Sequence, residues 1–141
     1  MQFIPADTDA ATGALALPND ADVLARADEI RGHAAALVLP NDADVLALSE
    51  QLRGQAAVVL QFPKWTDGRA YSQAVLLRSR LRFAGEIRAT GEVLADMLPL
   101  LRRCGFDAVQ LRADQLQATA ERALGYFSTH YQSVPPERAP R

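Results

Sequence analysis

One duplication constrains this chain more than any other feature. Leu15 to Ala35 aligns with Leu37 to Ala57 at an offset of 22 residues, Pro40 against Pro18, and the octet Pro-Asn-Asp-Ala-Asp-Val-Leu-Ala occurs in both copies. A repeat this short is one supersecondary unit used twice. Each copy opens on an apolar run, Leu15-Ala16-Leu17 or Ala36-Leu37-Val38-Leu39, as expected of a strand in a parallel sheet covered on both faces. Pro18 or Pro40 ends the strand, Asn19 or Asn41 is placed to cap a helix, and Asp22 or Asp44 falls near that helix's positive end. Val23, Ala27 and Ile30 share one helical face, as do Val45, Leu48 and Leu52. Gly32 and Gly54 then close the helices, since glycine accepts the left-handed conformation beyond a helix end.

Three more units follow. The third strand spans 57–61, and its helical face is Ala70, Ala74, Leu77 and Leu81. A fourth strand at 86–89 leads to Thr90, read as the cap of a helix carrying Leu94, Met97, Leu98 and Leu101 and ending at Cys104-Gly105. Pro99 removes an N–H from that helix and predicts a kink near its start. A fifth strand at 108–111 precedes a helix from about 114 to 131, with Leu116, Ala120, Leu124, Phe127 and Tyr131 on one stripe. The fold class is therefore α/β, repeated βα units forming a mainly parallel sheet. It is half-barrel-like if every strand joins the same side, and open and doubly wound if the order reverses once. Residues 15–132 form the single domain, with 1–14 a flexible lead and the proline-containing 133–141 a flexible tail.

A chain of 141 residues suits one domain. Its net charge of −2 gives no electrostatic reason to expect nucleic acid or an anionic membrane as partner. Met1 to Gly13 has the wrong charge for a signal or transit peptide, and no window is apolar enough to span a bilayer. The lone Cys104 forms no internal disulfide, so a cytoplasmic location is expected. Neither a metal site nor a cofactor motif is visible.

The third unit departs from the pattern where chemistry is expected, at a strand's C-terminal end. In place of the tight Pro-Asn-Asp turn stands Pro63-Lys64-Trp65-Thr66-Asp67-Gly68. With Arg69 and, from the next unit, Arg88 and Glu92, this loop predicts a pocket for an oxyanion or a partner's acidic surface. Thr66, Ser72 and Gln73 complete the binding set. Asp67 and Tyr71 are the candidates for proton transfer, although no neighbouring group activates the Tyr71 or Ser72 hydroxyl. A structural reading of Asp67 as a helix cap, with Arg69 its ion-pair partner and Trp65 a lid on the sheet, stands beside the functional one. His33 is replaced by Gln55 in the second copy, so no ligand depends on it.

The run Phe62-Pro-Lys-Trp-Thr-Asp-Gly-Arg-Ala-Tyr-Ser-Gln-Ala74, followed by Leu76-Leu-Arg78, Gly85-Glu-Ile-Arg-Ala89, Gly91-Glu-Val-Leu94 and Arg103-Cys-Gly-Phe-Asp107, resembles the bacterial domain of unknown function 934 family over residues 37–131. The resemblance implies an oxidoreductase-associated role in assimilatory sulfite reduction. It names sulfite reductase or another sulfur-assimilation protein as the partner to expect. By position it points to Phe62, Pro63, Lys64, Thr66, Asp67, Gly68, Arg69, Tyr71, Ser72 and Gln73, then to Glu86, Arg88, Gly91 and Asp96. Trp65 departs from the family's usual Phe. The alternative function is an oligomerising scaffold, such as a homodimer formed through an open sheet edge.

Overall fold

The computed structural model describes residues 1–5, 15–16 and 36–129. Six strands form one parallel sheet: β1 (Gln2–Ile4), β2 (Leu15–Ala16), β3 (Ala36–Leu39), β4 (Ala57–Phe62), β5 (Glu86–Gly91) and β6 (Ala108–Gln110). Their spatial order is β1-β6-β5-β4-β3-β2. From β2 to β6 each strand joins the same side of its predecessor, as in the half-barrel-like alternative, and the sheet stays open. Leu15 pairs with Leu37 and Ala16 with Val38, so the sheet's register at this seam equals the 22-residue offset of the repeat.

β1 falls within residues 1–14, where the composition predicts a flexible lead and no strand. It occupies the far edge, where Gln2 N–H donates to the Asp107 carbonyl and Phe3 faces Val109. Three residues are too short a run to show a period. The helix face of the first repeat (Val23, Ala27, Ile30), Gly32, His33, His130, Tyr131 and the 133–141 tail lie outside the described residues.

Parallel neighbours added in one direction through right-handed crossovers place the described crossover helices on one face of the sheet. The described helices are α1 (Ser49–Leu52), α2 (Arg69–Ser79), α3 (Leu98–Cys104) and α4 (Gln117–Gly125). Ala70, Ala74 and Leu77 of α2 and Leu98 and Leu101 of α3 share one core with Leu37, Leu39, Val58, Leu60, Phe62, Ile87, Ala89 and Val109 of the strands. The strand residues of opposite parity face the other way. Val38, Val59 and Ala108 are buried there, while Glu86, Arg88 and Thr90 give β5 its alternating burial.

Several helix boundaries differ from the sequence reading. Val45, Leu48 and Leu52 are all buried as their spacing predicts, yet only residues 49–52 are helical, because the Asn41 side chain turns away to Asp67 instead of capping. Asp44 takes over locally and accepts from the Leu46 and Ala47 amides. Thr90 is no cap either. β5 runs through it to Gly91, and its hydroxyl donates to Gln110 Oε1. A 3₁₀ turn at Ala95–Met97 precedes α3, which puts Pro99 in the first helical turn, where a missing N–H leaves no bond unmade. The last helix is shorter than its apolar stripe. Leu116 and Phe127 are exposed, and Ala120 and Ala123 carry the packing.

One arginine ties the crossovers together. The Arg78 guanidinium, at the end of α2, donates to the carbonyls of Phe83, Gly85 and Gly105 and to Asp107 Oδ2. Asp107 in turn accepts the Ile87 amide. Gly105 is in the left-handed conformation at φ +100°, and a Cβ there would lie 2.6 Å from Arg78 Cγ, so glycine is needed on both counts.

Candidate functional site

The Pro63–Gly68 loop leaves the sheet at the C-terminal end of β4 and is held from within. Asp67 N–H donates to the Lys64 carbonyl. The Asp67 carboxylate accepts from the Arg69 amide, from Arg69 Nε at 3.0 Å, from Arg69 Nη2 at 2.7 Å and, across from the second repeat, from Asn41 Nδ2 at 2.8 Å. These donors, the Arg69 side chain first among them, hold the Asp67 carboxyl down at about 2, and the same pairing raises the Arg69 guanidinium. Gln73 Nε2 donates to the carbonyls of Pro40 and Ala43. Residues 40–44 and 63–73 thus form one hydrogen-bonded clasp. Pro63, Lys64, Trp65, Thr66 and Ser72 remain exposed on its outside, Trp65 at 56%.

Tyr71, in the first turn of α2, is half-buried and edge-on to Phe62 with ring centroids 5.1 Å apart. Burial, with Asp96 adding to it, pushes its phenol up to about 12. A carboxylate saturated by an arginine is a weak base, and a phenol that resists ionisation is a weak nucleophile. This geometry prepares neither group for proton transfer near neutral pH.

The remaining predicted residues are not gathered into one hollow. Arg88 is within β5, in register with Val59 and Ala108, and its Nε meets Glu86 Oε1 at 3.0 Å on the same strand face. It therefore lies below the strand ends, among the sheet's side chains. Glu92, just beyond Gly91, accepts from Arg112 Nη1 at 2.7 Å, while Arg112 Nε and Nη2 grip Asp114. That pairing holds the Asp114 carboxyl at about 2. Gln73 is buried and committed to the clasp, and its Oε1 has no hydrogen-bond partner among the described residues. Asn41 and Arg112 were missed by the sequence reading. Asn41 was hidden by its identity in both repeats, which suggested a shared capping role; Arg112 stands two residues before Asp114, a spacing that could have signalled the pair.

A cavity of about 370 Å³ lies between the 3₁₀ turn and α4, lined in part by Asp96, Gln115, Arg122 and Tyr126. Among the described residues no His, Cys, Asp and Glu side chains group closely enough to hold a metal ion, and no helix is long and apolar enough to cross a membrane.

Fold and site together define a parallel α/β domain that presents a clasped aromatic and cationic loop at a strand's C-terminal end. The family model described as "Bacterial protein of unknown function (DUF934)" matches residues 36–141, and the chain belongs to that family. The match begins at β3, so the second copy of the repeat is inside the family domain and the first lies ahead of it. Neither a curated protein nor a solved structure matches the chain.

Proposed function

We propose that this protein is a non-catalytic accessory factor of assimilatory sulfate and sulfite reduction, and that it docks a redox partner through the Pro63–Gly68 loop. The observation that carries this reading is the pairing of a rigid base with an exposed tip. Asn41, Asp67 and Arg69 lock the loop from below, while Trp65 and Lys64 stay open to solvent. A large aromatic ring held outside the core on a preorganised loop suits the anchor of a protein–protein contact, where Trp is enriched, because little freedom is lost when it is covered. Binding is favoured over catalysis by the state of Asp67 and Tyr71. A protein partner is favoured over a small oxyanion because the guanidinium groups of Arg69 and Arg88 already face carboxylates. The pathway comes from the family resemblance, and the partner it suggests is sulfite reductase.

The test is growth on sulfate as sole sulfur source in cells lacking the chromosomal copy. Trp65→Ala unfolds cooperatively at the wild-type midpoint, since the ring packs against little, yet it fails to restore growth. Full restoration by Trp65→Ala together with Lys64→Glu refutes the docking role of this loop.

A further inference from the structure

We propose that the opposite end of the domain, where the strands begin, is a second docking surface and that it takes the acidic face of a protein partner. The inference stands independently of the function proposed above. The last turn of α3 and the helix-to-strand connections at this end carry Arg103 and Arg53, Arg80 and Arg82 respectively, all exposed. Arg53 makes a loose, solvent-exposed pair with Glu50 at 3.5 Å, which contributes little. The carboxylates nearby are engaged: Glu86 by Arg88 and Asp107 by the buried Arg78. The guanidinium groups of Arg80, Arg82 and Arg103 have no hydrogen bond or ion pair among the described residues. At the other end the exposed charges are of both signs, with Asp42 and Asp96 beside Lys64. The strand-start end therefore carries a local excess of unpaired cations even though the net charge is only −2.

Backbone strain at the same place gives an independent observation. Arg82 is the one non-glycine residue with positive φ among the described residues, at +52°. It follows α2 where the chain must reverse, and Phe83 N–H returns to the Leu77 carbonyl around it. Glycine occupies such positions without penalty. Arginine does not, and strained conformations of this kind collect at functional sites. The strain is held in place by Arg78, whose guanidinium binds the carbonyls of Phe83 and Gly85 on the far side of the turn. The cationic turn is thus preorganised in the way an electrostatic docking surface requires.

The partner's class follows from what accompanies the cations. Surfaces for single-stranded nucleic acid interleave them with exposed aromatic rings on which bases stack. Here the aromatics of these connections, Phe83 and Phe106, are buried. A carboxylate-rich protein surface needs no such rings, and arginine is its preferred counterpart because the guanidinium fork binds carboxylates at two points.

The full-length protein is titrated into a fluorescein-labelled oligoglutamate peptide and, separately, into a labelled single-stranded DNA of equal charge, at low and physiological salt. The peptide binds in a salt-dependent manner, and Arg80→Ala with Arg103→Ala weakens it about tenfold or more. Arg82→Gly is the discriminating variant. It raises or preserves the unfolding midpoint, because strain is relieved, and still weakens peptide binding. The proposal is overturned if these three substitutions leave peptide binding unchanged. It is equally overturned if the DNA binds as tightly as the peptide, or if the arginine variants abolish a concentration-dependent self-association instead, which would make another copy of this chain the occupant.

Discussion

Replacing Arg78 by alanine tests whether a motif residue of this family serves the fold or a ligand. Its side chain is only 9% exposed and donates to three backbone carbonyls and the Asp107 carboxylate. Alanine leaves the Phe83, Gly85 and Gly105 carbonyls without these donors and a carboxylate without its counter-ion. Breaking a buried pair by removing one partner costs about 3–5 kcal/mol. Water can reach Asp107, whose side chain is 30% exposed, so the lower end, about 3 kcal/mol, is expected. For a chain of this size that lowers the thermal midpoint by about 6–12 °C. Urea unfolding of wild type and Arg78→Ala, followed by circular dichroism, reads the difference directly, with the slope against denaturant unchanged. Arg78→Lys should recover little, because one ammonium cannot reach acceptors spread over residues 83, 85, 105 and 107. A loss under about 1 kcal/mol, the range of an exposed pair, would refute the claim that this guanidinium is the clamp between the crossovers.

Three other substitutions probe the strand ends. Gly91→Ala forces a side chain into a left-handed residue at φ +98°, with its Cβ 2.4 Å from the Phe62 carbonyl oxygen; a destabilisation of about 2 kcal/mol or more by urea unfolding is expected, and a neutral result contradicts the described turn. The Asp67 carboxyl falls from 3.8 to about 2 in the folded chain, so its contribution is fully present above about pH 4 and is lost as pH falls through 2. Wild type and Asp67→Asn should therefore differ in stability by a constant amount near neutrality and converge in acid; convergence in alkali instead would reverse the sign. Tyr71, raised from 10 to about 12, contributes stability that is intact below pH 10 and lost between 10 and 12. The difference in ultraviolet phenolate absorbance between wild type and Tyr71→Phe should inflect near 12, and Tyr71→Phe should support growth on sulfate as well as wild type does.

The sheet was legible in the sequence because parallel strands covered on both faces are written as apolar runs, and because a duplicated unit reports its own register. Leu15 against Leu37 is the repeat offset seen in space. The glycines closing helices were legible for the same local reason, and Gly54 and Gly105 are both left-handed. Side chains that choose a distant partner over a near one were not legible. Asn41 satisfies every requirement of a helix cap, but Asp67, 26 residues away, competes for its amide. Thr90 likewise goes to Gln110 on the next strand. Of the candidate site, Asp67 and Arg69 are paired as the structural alternative anticipated. A common mouth for Lys64, Arg69 and Arg88 is a different matter, because strand register places Arg88 opposite Val59, short of the strand end. The Arg78-Ser79-Arg80-Leu81-Arg82 run places three cations around the end of α2. Its division into one buried clamp and two exposed cations depends on where α2 ends, which the sequence leaves open by a turn.

Trp65 and Lys64, on a clasped loop, are proposed to form the contact with sulfite reductase. Titration calorimetry of the purified protein into that enzyme, with wild type, Trp65→Ala and Lys64→Glu compared at one salt concentration, tests it most directly. The account predicts saturable binding by wild type and a loss of about tenfold or more in each variant, with folding intact. Equal affinity across the three proteins, or no heat of binding from wild type, contradicts it.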